Sequence, residues 1–171
     1  MYALTQECPD DWWEVENLLD TAFAPGRTAL SSYRLREGVG PVATLCIVAR
    51  DGEGVLAGAI RFWPIMIGDE TRALLLGPIA VHPTRQGEGL GATLMAHALD
   101  EARVEGWQYV VLVGDEPYYS RFGFTRDLAR DIDFPPPTIS ERVLAQSLQT
   151  GGCDAVHGSV RAWPKDQPVA P

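Results

Sequence analysis

The sequence predicts a mixed α/β fold on three observations: a hairpin pattern between residues 45 and 66, a strand, loop, helix, strand run between 73 and 113, and an amphipathic helix near the start. At 171 residues and 46% hydrophobic content, the chain can bury a sizeable core and matches the size of one domain, spanning 1–171.

Residues 2–5 read as a short strand, and Pro9-Asp10-Asp11 then open a helix whose apolar positions are Trp13, Val15, Leu18, Leu19 and Phe23. Pro25-Gly26 stops it, and a weaker helical segment follows over 28–37. Residues 45–49 and 55–66 are predicted strands around the turn Asp51-Gly52-Glu53-Gly54. The apolar run 73–81 has the length of a buried central strand, kinked at Gly77-Pro78 because proline cannot donate to a sheet ladder.

From 89 to 104, Leu90, Leu94, Met95, Ala98, Leu99 and Ala102 recur at three- and four-residue spacing, which lays one helical face on a sheet. Gly106 ends that helix, and the run 109–113 supplies the next strand. This order favours a parallel, right-handed crossover. Further on, Asp133-Phe134-Pro135-Pro136-Pro137 is a rigid connector, 140–148 a predicted helix capped by Ser140, and 156–163 a predicted final strand.

Composition excludes several classes. No stretch approaches the roughly 20 apolar residues of a membrane span, and the first residues lack a secretory pattern, so a cytoplasmic protein without membrane association is expected. Cys8, Cys46 and Cys153 are far apart and form no C-x-x-C or His/Cys cluster, which signals neither a disulfide framework nor a metal site. A net charge of −9 without a basic patch argues against nucleic acid as a partner.

The segment His82-Pro83-Thr84-Arg85-Gln86-Gly87-Glu88-Gly89-Leu90-Gly91-Ala92 carries the chemistry, because it lies between a buried strand and the start of a helix. The first helical turn leaves backbone N–H groups unpaired, and the helix dipole adds positive potential there, so a phosphate binds with little side-chain help. Glycines at 87, 89 and 91 allow close backbone approach, and they weaken a helix start in a way that a plain connector would avoid. Arg85 adds a mobile charge at the rim.

Gly87-x-Gly89-x-x-Ala92 also matches the dinucleotide fingerprint, with Asp115 as a ribose-binding acid. Five residues separate the preceding strand from its first glycine, however, and no further strand and helix repeats complete a doubly wound half.

The run Gln86-Gly87-Glu88-Gly89-Leu90-Gly91 resembles the coenzyme-binding signature Gln/Arg-x-x-Gly-x-Gly/Ala of the general-control-related N-acetyltransferase superfamily (GNAT). One strand later, Tyr119-Ser120-Arg121-Phe122-Gly123-Phe124 is similar to that family's Tyr-x-x-x-Gly-Phe element. The string from Val113 to Tyr119 is also similar to a bacterial subgroup with a Gly-Asp-Pro-x-Tyr-Tyr pattern, although here Glu116 precedes Pro117.

The resemblance implies the acyl-CoA N-acyltransferase fold: a mostly antiparallel sheet, splayed at a parallel pair of strands four and five, with helices on both faces. It implies acetyl-CoA as co-substrate, no metal, and a small-molecule or peptide amine as acceptor, in a monomer or homodimer. On that pattern Ile79, Ala80 and Val81 pair with the pantetheine arm, while Arg85, Gln86, Gly87, Glu88, Gly89, Leu90, Gly91 and Ala92 hold the pyrophosphate. The Val81 amide is then the oxyanion donor.

In the implied reaction the amine attacks the thioester directly, and Tyr119 is the expected general acid, since a phenol titrating near 10 stays protonated at neutral pH. Tyr118, Phe122 and Phe124 read as aromatic packing, and the five tryptophans as core or interface residues. No carboxylate lies in 73–81 or 109–113, so Asp115, Glu116, His82 or water is left as the base. Arg27, Tyr33, Arg34 and Arg36 border the expected acceptor region, with Arg34 and Arg36 read as solvated charge. A non-catalytic acyl-CoA sensor is the alternative.

Overall fold

A computed structural model describes residues 1–23, 25–150 and 156–171. In chain order the elements are β1 (Ala3–Gln6), α1 (Trp12–Phe23), α2 (Ser31–Arg34), β2 (Ile47–Arg50), β3 (Leu56–Ile67), β4 (Thr71–Val81), α3 (Leu90–Glu105), β5 (Tyr109–Val113), α4 (Glu116–Tyr119), β6 (Ile132–Asp133), β7 (Val143–Ser147) and β8 (Gly158–Ala162). The sheet runs β1-β2-β3-β4-β5-β7, with β8 joined to β3 and β6 to β8. Along the main path only β4 and β5 are parallel. That order excludes a doubly wound dinucleotide fold, whose sheet is mostly parallel.

Helices cover both faces because strand residues alternate between them. On one face α3 buries Leu90, Leu94, Met95, Ala98, Leu99 and Ala102 against Ile60, Phe62, Leu74 and Val110. Each fully buried leucine there contributes about 1.5–3 kcal/mol of transfer free energy. On the other face α1 packs Val15, Leu18 and Leu19 on Val48, Ala59 and Ala80. Trp13 and Phe23 depart from expectation, being 75% and 48% exposed. At 100° per residue, Trp13 points away from the stripe through Val15, Leu18, Leu19 and Ala22, and Phe23 lies on its edge.

Two predicted helices are corrected. Over 28–37 only Ser31–Arg34 is α-helical, with a 3₁₀ segment at Pro25–Ala29 before it. Residues 140–148 form the edge strand β7 after a short 3₁₀ turn, and Ser140 caps nothing. Pairing decides this second case. With β4 on one side, β5 presents a free ladder on the other, and β7 fills it from Tyr109↔Ser147 to Val113↔Val143.

Cys46 is buried and Cys8 exposed, both as free thiols; Cys153 lies outside the described residues. Trp107 and Trp163 are core residues in edge contact, whereas Trp12 is 46% exposed. No helix among the described residues is long and apolar enough to cross a membrane.

Candidate active site

The parallel pair opens early. β4 and β5 pair only at Leu74↔Val110 and Leu75↔Val111. Beyond that point β4 carries Gly77-Pro78, and its register with β3 shifts between Ile60 and Phe62. The extra β4 residue bends the strand away from β5, as a bulge does. From Gly77 to Val81, β4 thus has β3 on one side and an open edge on the other.

Amide directions on that edge follow from antiparallel alternation. His82 donates its N–H to the Ala57 carbonyl at 2.8 Å. Counting back in steps of two, Ala80 bonds toward β3, and the backbone groups of Ile79 and Val81 point to the open side. Side chains obey the same period: Ile79 and Val81 pack toward α3, while Ala80 is buried against α1. Ala80 therefore presents no side chain to the opening.

After β4 the chain makes a short 3₁₀ turn at Pro83–Arg85 and enters α3 through Gly87 (φ +85°) and Gly89 (φ +80°). Those angles favour glycine, and a Cβ at either position would meet nothing within 4 Å, so open space adjoins the backbone. The backbone ladder resumes with Thr93 N–H to Gly89 C=O. The amides of residues 87 through 92 accordingly donate to no acceptor among the described residues. A cavity of about 390 Å³ lies over them, lined also by Val81, Arg85, Gln86, Tyr118 and Arg121.

The side chains around this cavity depart from expectation in four places. Arg85 is not mobile, because its guanidinium is paired with Asp51 at 2.7 Å. Glu88 turns away and accepts a hydrogen bond from the Tyr2 hydroxyl. Tyr118 is not core: it is 42% exposed, and its hydroxyl lies 3.5 Å from where a Gly91 Cβ would be. Arg121, which sequence reasoning missed, stacks on Tyr118 (4.5 Å) and Phe122 (4.8 Å) and has no ion pair among the described residues. Its place inside the Tyr-x-x-x-Gly-Phe element was the available signal.

A second cavity, about 210 Å³, occupies the splay, with Leu75, Leu76, Gly77, Pro78 and Ile79 on one wall and Leu112, Val113 and Tyr119 on the other. Burial, then the neighbouring Tyr118 and Asp115, push the Tyr119 phenol above its ordinary 10. Its ring is seated by Gly114, where any Cβ would run into it, and edge-on to Phe124, which is wholly buried as expected. Phe122 is partly buried against the same core.

The three side chains that the sequence offered as the base are occupied elsewhere. Asp115 pairs with Arg142 at 3.3 Å, Glu116 accepts the Arg126 amide, and His82 Nδ1 sits 2.8 Å from the Thr84 hydroxyl. The remaining wall is held by an ion chain that the sequence did not reveal. Arg61 pairs with Glu7 and Glu16, Arg27 with Glu16 and Asp20, and Arg27 donates to the Tyr33 hydroxyl at 2.7 Å. Arg34 is exposed, whereas Arg36 points into the splay cavity, contrary to its reading as solvated charge. No group of three or more His, Cys, Asp or Glu among the described residues is arranged to hold a metal.

An opened parallel pair feeding a helix start with unspent amides defines the acyl-CoA N-acyltransferase fold. A model of the GNAT acetyltransferase domain matches residues 43–126. The N-acetyltransferase YhbS of Escherichia coli (strain K12) is 34% identical over 155 residues, 90% of this chain and 92% of the relative. YjhQ, an N-acetyltransferase of the same strain, is 38% identical over 127 residues, 72% of this chain and 69% of that one. The crystal structure of Escherichia coli YhbS in complex with CoA superposes with a TM-score of 0.81 at 28% identity, covering 95% of this chain and 89% of that one. A GNAT acetyltransferase from Brucella melitensis in complex with acetyl-CoA gives 0.70 at 27%, covering 96% and 97%. The chain belongs to the GNAT family of acetyltransferases.

Proposed function

We propose that this chain transfers the acetyl group of acetyl-CoA to a primary amine by direct attack within a ternary complex. The observation that carries the reading is the run of unpaired amides from 87 to 92 beside the open edge of β4. Six donors on one concave backbone suit a diphosphate, and Arg121 adds charge without a competing acid. The coenzymes bound to the two superposed structures support the same donor.

With the pyrophosphate on α3, the pantetheine arm adds to β4 as an extra strand, through the outward backbone groups of Ile79 and Val81. The Val81 N–H is aimed at the carbonyl oxygen of the thioester and stabilises its developing charge. Amine attack forms the C–N bond, the amine proton passes to water, and collapse breaks the C–S bond. The departing thiolate takes the Tyr119 proton. A phenol held above 10 by burial carries that proton throughout the neutral range.

The test pairs calorimetric titration of acetyl-CoA with thiol release over a panel of primary amines. Saturable binding with amine-dependent thiol release is expected. Binding without release from any amine would favour a non-catalytic sensor, and binding of NAD in place of acetyl-CoA would overturn the assignment.

A further inference from the structure

Two buried arginines, Arg27 and Arg61, and the half-buried Arg36 line one side of the molecule, and the first two are neutralised. Arg61 and Arg27, 3% and 7% exposed, each hold two carboxylates. Arg36 has none among the described residues. Its Nε and Nη1 are sealed from solvent without a hydrogen-bond partner. The guanidinium stacks on the rings of Tyr33 (4.2 Å) and Trp63 (5.3 Å), which fix its plane. Nη2 remains open to the splay cavity, 3.8 Å from where a Cβ of Gly77 would stand.

A stacked, positioned, unneutralised guanidinium is costly to keep unless an anion completes it. Burial, reinforced by the charges of Arg61 and Arg27 and opposed by Tyr33, brings Arg36 down to about 10, still charged at neutral pH. The same cavity is lined by Ile79 and Tyr119, where the proposed acetyl transfer takes place. Leu75, Leu76 and Leu112 make its wall largely apolar.

Resting on that proposed function, we infer that Arg36 selects the acceptor: a small, partly apolar amine that also bears a carboxylate. The carboxylate meets Nη2 beside Gly77 while the amine reaches the thioester beside Tyr119. With Nε and Nη1 sealed, Nη2 offers its N–H donors to the carboxylate from a guanidinium whose charge is fixed in place. At about 210 Å³ the cavity lies below the volume that encloses drug-sized ligands, which keeps the acceptor small.

The experiment measures kcat/KM for leucine, phenylalanine and 6-aminohexanoate against leucinamide, phenylalaninamide and hexylamine, in the native protein and in Arg36→Gln and Arg36→Lys. Dividing the acid-to-neutral ratio of the native protein by that of Arg36→Gln cancels differences in amine basicity. A quotient of at least about ten is expected, expressed mainly in KM, with acetyl-CoA affinity unchanged and partial recovery in Arg36→Lys. A quotient near one, or acetylation confined to the carboxylate-free amines, overturns the inference and leaves the transferase reading standing. A higher rate with 3-aminopropylphosphonate than with 4-aminobutyrate overturns the choice of carboxylate. If no amine releases thiol although acetyl-CoA binds, the transferase reading fails. Calorimetry of the three acids on the coenzyme complex then decides Arg36 alone: binding lost in Arg36→Gln supports it, and no binding sinks it.

Discussion

Tyr119→Phe removes one hydroxyl that meets the splay cavity and bonds to no described residue. The ring keeps its seat on Gly114 and its edge contact with Phe124, 6.2 Å between centroids. No partner is left unsatisfied, so the change in unfolding free energy should stay within about 0.5 kcal/mol. Loss of a positioned general acid lowers rate by roughly 100- to 10,000-fold, or about 2.7–5.5 kcal/mol at 1.36 per decade. Thiol release under saturating acetyl-CoA should show that loss in kcat, while calorimetry shows coenzyme affinity within about two-fold of native. The native alkaline limb must lie above pH 10, because the phenol is raised and the rate falls once its proton is gone. That limb should vanish in the variant. Native turnover in Tyr119→Phe would refute the proton-donor role.

Two further changes probe other parts of the account. Gly91→Ala places a Cβ at ordinary contact with the Tyr118 hydroxyl (3.5 Å) and Val81 Cγ2 (3.6 Å), whereas Gly91→Val adds branches that fill the cavity over α3. Calorimetry should show near-native acetyl-CoA affinity for the first and a loss of at least about ten-fold for the second, about 1.4 kcal/mol, with circular dichroism unchanged. For Glu16, burial opposes ionisation, but hydrogen bonds from Arg61 and Arg27 prevail and hold it below its ordinary 4.5. Its stabilisation is therefore complete above 4.5 and is lost as pH falls through the lowered folded value. Urea midpoints should drop below pH 4.5, and Glu16→Gln should flatten that drop.

Periodicity and punctuation made much of this legible. The strand Tyr109–Val113 was bounded by a glycine and a polar turn, and α3 by the αL residues Gly89 and Gly106, so both were readable to within a residue. Backbone chemistry was legible for the same reason: unpaired amides at a helix start depend on chain direction, not on tertiary contacts. Residues 143–147 misled because Val143, Leu144, Ala145 and Gln146 are all buried, which erases the alternation that separates strand from helix. Long-range side-chain partners were not readable. Asp51 taking Arg85, Tyr2 taking Glu88 and the turn of Arg36 beneath Trp63 span 34, 86 and 27 residues of sequence, distances over which no spacing rule operates.

Amide hydrogen exchange across residues 87–92 tests the central claim most directly, since those six N–H groups have no acceptor among the described residues and should exchange freely in the unliganded chain. Adding CoA should slow them at least about ten-fold, whereas dephosphorylated pantetheine, which lacks the diphosphate, should leave them unprotected. Protection that is already present before any ligand is added, or exchange unaltered by saturating CoA, would contradict the account.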